Sequence, residues 1–408
     1  MQLFRDPGFN FDALWALGAA GEGASEVGEV LTAVNTVTKA KPSYQTFADT
    51  FQAWGDRLAA QAAQAGRRGH RATQRARALR ASRYYAQALF YVLGTDAPET
   101  EEKVYLASRR AWDAFADLFE SPVQQAAVPY GTAEMPVWFF RPDEAKKRRP
   151  TVILTNGSDG QNVDMWSYGV AAALERGWNA LVYEGPGQGQ MLFVDQIPFT
   201  DRWERVVTAL VDYLYQREDV ACERIALTGL SMGGNLAPRA AAFEHRIAAL
   251  VAMPGVLSPW LGFPPEIREV ITQSEQETNR IWNEDVVPAL TPELRFLVEK
   301  RFEPFDPAVM RAAREGRVFT DVWTPAQRII GLDITNLVGR IKAPTLVLDY
   351  DDEQFYPGQP RDLFDRLRSP KEYIKMTAAE GAQLHCSPMA PQRHCEVVFD
   401  WLDQTLHP

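Results

Sequence analysis

Apolar and polar positions change rhythm twice along the 408-residue chain. Over residues 1–122 the apolar positions recur at helical spacing, and no stretch alternates cleanly enough for a strand. After a glycine-rich loop at 18–28, the spacing predicts helices over 43–65, 71–93 and 101–119, the second with Leu79, Ala86, Leu89, Phe90 and Leu93 along one face. From residue 123 the runs shorten. VQQAAVPYG and MPVWFFRP alternate with period two and predict an opening β-meander, followed by the charged turn DEAKKRRP. Thereafter strands are predicted at 151–155, 180–183, 225–228, 247–253, 344–349 and 372–376, and helices at 166–176, 202–216, 234–243, 361–367 and 391–406. Continuously apolar strands separated by amphipathic helices mean a parallel sheet covered on both faces. Residues 254–341 interrupt this alternation with proline-rich, aromatic helical sequence holding Trp260, Phe263, Trp282 and Trp323. An insertion over the strand ends is expected there, and connections of that length usually carry function.

Composition narrows the picture mainly by exclusion. A chain 46% hydrophobic and 24% charged is ordinary globular material with enough apolar sequence for a large core. Its formal net charge of −10 argues against a nucleic-acid partner, which needs a basic face to neutralise phosphates. Seven arginines crowd residues 67–83, and the expected reading is a solvated helix face pairing with carboxylates. Cys222, Cys386 and Cys395 are odd in number and lack ligand spacing, so neither a disulfide framework nor a metal site is indicated. The N-terminal MQLFRDPGFNFDALW lacks the basic start and unbroken apolar core of a signal peptide, and no run reaches the ~18 apolar residues of a membrane span. A cytoplasmic protein with no membrane partner is expected.

The chemistry concentrates in RIALTGLSMGG, residues 224–234, where a strand feeds into G-x-S-x-G. Gly229 and Gly233 leave room for a sharp strand-to-helix turn that would present the Ser231 hydroxyl as a nucleophile. A serine needs a general base, and elimination among five histidines selects His385: His70, His245, His394 and His407 lie in or beside helices or at the terminus, whereas His385 follows the last strand in AAEGAQLHCSP. The acid is sought after the preceding strand, where Asp351, Asp352 and Glu353 stand in a row. Backbone amides of Met232, after the nucleophile, and of Ser158, in TNGSDG, are the expected oxyanion donors, with Gly157 permitting close approach. TNGSDG and EGPGQGQ could also be read as phosphate cradles, but neither has a nucleotide-loop form, and no cofactor is expected. Trp166, Trp260 and Phe263 are expected to line a substrate pocket.

The helical N-terminal region, NGSDG, YEGPGQGQ, GLSMGG and EGAQLHC together resemble the α/β-hydrolases related to 2,6-dihydroxypseudooxynicotine hydrolase, the FrsA-like proteins and the fungal heptaketide hydrolases of pigment synthesis. The likeness extends over most of the chain, with Glu184 where the family usually has aspartate. It implies an N-terminal helical cap, residues 1–122, on an α/β-hydrolase catalytic domain, residues 123–408, with a cap insertion at about 254–341. In many such hydrolases the acid segment reads P-x-L-x-x-x-G-x-x-D-x-x-x-P; counted from Pro344 to Pro357 it selects Glu353, with Asp352 as the alternative. The resemblance further implies frequent homodimers and members that cleave carbon–carbon bonds beside a carbonyl. The expected function is a serine hydrolase of a small carbonyl compound, with C–C cleavage of a β-dicarbonyl or polyketide-like substrate in view. A carboxylesterase or peptidase and an acyltransferase could use the same residues, since fold and triad do not determine substrate. A non-catalytic binding protein would need none of them.

Overall fold

The computed structural model describes residues 1–145 and 147–406; Lys146 of the charged turn and His407 lie outside them. Among the described residues eight strands form one sheet: β1 (Gln124–Tyr130), β2 (Ala133–Phe140), β3 (Arg149–Thr155), β4 (Asn179–Tyr183), β5 (Val220–Leu230), β6 (Ala249–Met253), β7 (Thr345–Tyr350) and β8 (Lys371–Met376). Their order is β1-β2-β4-β3-β5-β6-β7-β8, antiparallel for the β1/β2 and β2/β4 pairs and parallel across the rest. Successive residues of β3 enter opposite cores, Val152 and Leu154 on one face and Ile153 on the other. The helices Trp203–Tyr215 and Gly233–Ala241 cover the Ile153 face; the last helix, Pro391–Leu406, covers the other.

Five α-helices precede the sheet: α1 (Pro7–Gly18), α2 (Val27–Lys39), α3 (Tyr44–Arg67), α4 (Arg71–Leu89) and α5 (Glu101–Ala116). The periodicity reading names α3, α4 and α5 and leaves out α1 and α2. Local signals do mark α1, since Asp6 caps it by accepting from the Phe9 amide at 2.9 Å and Pro7 opens its first turn. The expected helix over 166–176 is instead broken. A short helix, Asn162–Met165, passes through a π-turn at Trp166–Val170 with non-helical backbone at Tyr168 and Gly169, then resumes at Ala171–Glu175. Gly169 permits the close approach to β3, because a Cβ there would lie 2.4 Å from the Leu154 side chain.

Between β6 and β7 the chain forms short helices, among them Pro292–Phe302 and Pro307–Arg314. They share a core with the N-terminal helices, where Phe296 and Met310 join Phe9, Phe47 and Tyr91. An ionic joint seals this contact. Glu101 of α5, 0% exposed, meets Arg314 at 2.9 Å and Lys300 at 3.7 Å, and Lys300 also pairs with Glu303. Among the described residues no helix is long and apolar enough to cross a membrane.

Candidate active site

Ser231 sits just beyond β5 with φ of +56°, a left-handed conformation that non-glycine residues hold only under constraint. The constraint is visible on both sides. Its amide donates to the Met253 carbonyl at 2.7 Å, and its carbonyl receives the Gly234 amide at 2.8 Å. The neighbouring glycines are steric requirements: a Cβ on Gly229 would fall 1.9 Å from the Gly233 carbonyl oxygen, and one on Gly234 would fall 1.7 Å from that of Pro254.

The loop after β8 carries His385, 3% exposed, onto the elbow. Its Nε2 lies 2.9 Å from Ser231 Oγ, and its Nδ1 lies 2.8 and 2.9 Å from the two carboxylate oxygens of Glu353. A carboxylate only accepts, so Nδ1 carries the proton and Nε2 offers its lone pair to the serine hydroxyl. Burial alone would raise the Glu353 carboxyl, but His385 and the amides of Phe355 and Tyr356, each 3.0 Å from Oε1, hold it below its ordinary value. Asp352 is exposed, while Asp351 receives the Ala378 amide at 3.0 Å and faces Lys375 at 3.5 Å. His394, fully buried beside Tyr350 and Tyr168, is pushed down to about 3 by burial and stays neutral.

Among the described residues, no backbone acceptor takes up the amides of Met232 or Ser158. Gly157 lets the Ser158 loop press against Ser231, since a Cβ there would lie 2.8 Å from Ser231 Cβ. Two residues absent from the sequence reading brace this loop. Asn156 accepts from the Gly157 amide at 2.8 Å, and Gln188 donates to the carbonyls of Asn156 and Gly157 at 2.8 and 3.1 Å. Gln188 belongs to EGPGQGQ, so that segment serves as a brace here. Its Glu184 is buried and accepts from Arg109, Tyr105, Asn162 and the Gln190 amide, each at 2.8–2.9 Å.

Ser231 and His385 open on a cavity of about 530 Å³. Its far walls come from α1, α4 and the helix Pro292–Phe302, through Phe11, Asp12, Arg83, Gln87 and Leu297. A smaller cavity of about 210 Å³ lies on the Met232 side and includes Phe263; both share Asp159, Arg301, Phe355 and Tyr356. The Asp159–Arg301 ion pair, 2.6 Å, lines both.

Three expectations need correction. Trp166 lines neither cavity: its Nε1 donates to the Glu22 carbonyl at 2.8 Å and its ring packs on Phe115 and Phe119. Trp260 also lies outside both linings, its ring 5.2 Å from that of Phe263 and packed against the core. The arginine-rich stretch is not solvated at its end, because Arg83, 2% exposed, turns inward to pair with Asp164. Asp164 in turn accepts from Trp15 Nε1 at 2.6 Å, tying α1, α4 and the short helix Asn162–Met165 together.

Comparison with known proteins agrees with this architecture. Residues 152–400 match the alpha/beta hydrolase family. The chain is 27% identical to 20-hydroxy-prefusarin hydrolase of Gibberella moniliformis over a gapped alignment of 441 positions, covering 99% of this chain and 98% of that protein. It is 31% identical to the hydrolase ORFZ of Pyricularia oryzae over 276 residues, 63% of each. Among solved structures, 2,6-dihydroxy-pseudo-oxynicotine hydrolase superposes with a TM-score of 0.69 at 19% identity, covering 95% of each chain.

Proposed function

The chain belongs to the alpha/beta hydrolase family, and we propose that within it Ser231, His385 and Glu353 form the catalytic triad of an enzyme that cleaves a small β-dicarbonyl or polyketide-like compound. The observation that carries this reading is the continuous hydrogen-bonded chain from Glu353 through His385 to Ser231, at the edge of a 530 Å³ cavity. His385 takes the Ser231 proton as Oγ attacks the carbonyl carbon, and Glu353 stabilises the imidazolium that forms. The oxyanion is received by the amides of Met232 and Ser158. Collapse of the tetrahedral adduct breaks the bond to the departing group, which takes its proton from His385. Water, deprotonated by His385, then attacks the acyl-enzyme, releasing the acid and returning a proton to Ser231.

When the departing atom is carbon, collapse requires a stabilised carbanion, such as an enolate or a phenol-conjugated anion. A β-dicarbonyl or acyl-substituted polyphenol provides one; a simple ketone does not. The 20-hydroxy-prefusarin hydrolase, alike over nearly the whole chain, supports a small organic substrate. A homodimer, implied by the family resemblance, is part of the same reading.

Offered 1-phenylbutane-1,3-dione beside p-nitrophenyl esters and aminoacyl amides, the enzyme is expected to convert the diketone to a carboxylic acid and a ketone whose masses sum to substrate plus water. Efficient turnover of the esters or amides alone would overturn C–C cleavage and leave an esterase or peptidase.

A further inference from the structure

The large cavity contains a carboxyl group that the triad does not use. Asp12 lies in α1 and lines the wall of the cavity on which Ser231 and His385 open. Gln87 of α4 donates to its main-chain carbonyl at 2.6 Å and anchors this turn of the helix. The Tyr91 hydroxyl donates to Oδ2, whereas Oδ1 has no protein partner among the described residues and is not sealed from the cavity. Phe11, the preceding residue, packs edge-on against Phe355, which packs on His385, so this part of α1 is held beside the triad.

We propose that Asp12 is a specificity-determining residue, its carboxyl proton on Oδ1 donated to a carbonyl oxygen in the departing part of the substrate. This rests on the serine-hydrolase reading above, and His385 supplies the side. The group that protonates the departing fragment opens on the larger cavity, so that fragment lies in the same space as Asp12. With Tyr91 donating to Oδ2, that oxygen acts as the acceptor and Oδ1 is the place for the proton. Burial, and to a smaller extent Asp159 and Asp6, raise the Asp12 carboxyl to about 7 against the opposing effect of Tyr91 and Arg301. The donor is therefore present below pH 7 and lost as pH rises through it.

The other charged or titratable groups of this cavity are the Arg83–Asp164 pair, Tyr44, Glu293, Lys300, Tyr356 and His385. Tyr44, Tyr91, Tyr356, Lys300 and Arg301 are all held above their ordinary values and do not change charge between pH 6 and 8.5. His385 acts on every substrate alike, so a ratio of two substrates at one pH removes its contribution.

The test compares 5-oxohexyl and 7-oxooctyl butyrate with hexyl and octyl butyrate, pairs whose leaving alcohols differ only by a remote ketone. For wild type at pH 6 at least one keto ester should be preferred in kcat/KM by about tenfold, roughly the worth of one buried hydrogen bond, and at pH 8.5 the preference should fall towards one. Asp12→Asn, whose amide still donates, should keep the preference at both pH values, and Asp12→Leu should lack it at both. Thermal melting and fluorophosphonate labelling of each variant report on the fold and on Ser231. A preference that is absent in wild type, unmoved in Asp12→Leu, or still lost at high pH in Asp12→Asn overturns the role of Asp12 alone. Failure of wild type to label overturns the serine reading, and this proposal with it.

Discussion

Ser231→Ala is expected to reduce turnover by on the order of 10³- to 10⁶-fold without unfolding the protein. The residual rate would come from binding and from the amides of Met232 and Ser158, which the substitution leaves in place. Alanine removes one oxygen from a partly buried side chain, and the elbow geometry rests on backbone bonds to Met253 and Gly234 that alanine retains. The left-handed backbone at this position costs alanine about as much as serine, so the melting temperature should shift by only a few degrees. A fluorophosphonate probe should label wild type once, with the adduct on the peptide containing Ser231, and leave the variant unlabelled. Labelling that survives in Ser231→Ala would place the nucleophile elsewhere.

Glu353→Gln is expected to lower kcat by on the order of 10⁴-fold. Its carboxamide can still accept from the amides of Phe355 and Tyr356, but doing so turns the NH₂ towards His385 Nδ1. That favours the tautomer with Nε2 protonated and leaves no base facing Ser231. The corresponding amides at Asp351 and Asp352, which lie on the exposed side of the same loop, should change kcat by no more than a few-fold. If Asp352→Asn proves the crippling change, the acid assignment moves by one residue while Ser231 and His385 stand.

Much of the sheet is legible because its strands are apolar on both faces and end at glycine- or proline-marked turns. Val152, Ile153 and Leu154 read as a strand for the same reason that they fill two cores. The elbow is legible because a left-handed serine demands small neighbours, and G-x-S-x-G is the written form of that demand. The acid loop is ambiguous locally, since three adjacent carboxylates are chemically equivalent in sequence; in the structure, the turn closed by the Glu353 amide on the Tyr350 carbonyl buries Glu353 and leaves Asp351 and Asp352 outside. The cavity walls were not legible. Asp12, Arg83 and Asp164 are far apart in the chain, and only the packing of α1 and α4 on the short helix Asn162–Met165 brings them together. Trp166 is not legible as a wall residue or a core residue from sequence alone, because its place is decided by the broken helix after β3, which seats its indole against α5.

The ionic joint between Glu101, Lys300, Glu303 and Arg314 has a consequence for how the cavity exchanges its contents. Separating α5 from the helices around 300 and 314 would break the joint, together with the apolar seam through Phe296 and Met310. The N-terminal helices and the β6–β7 insertion therefore share one opening free energy, and their amides should exchange with solvent as a single cooperative unit. Small molecules are then expected to enter and leave through motions of side chains around the rim rather than through two lids moving independently.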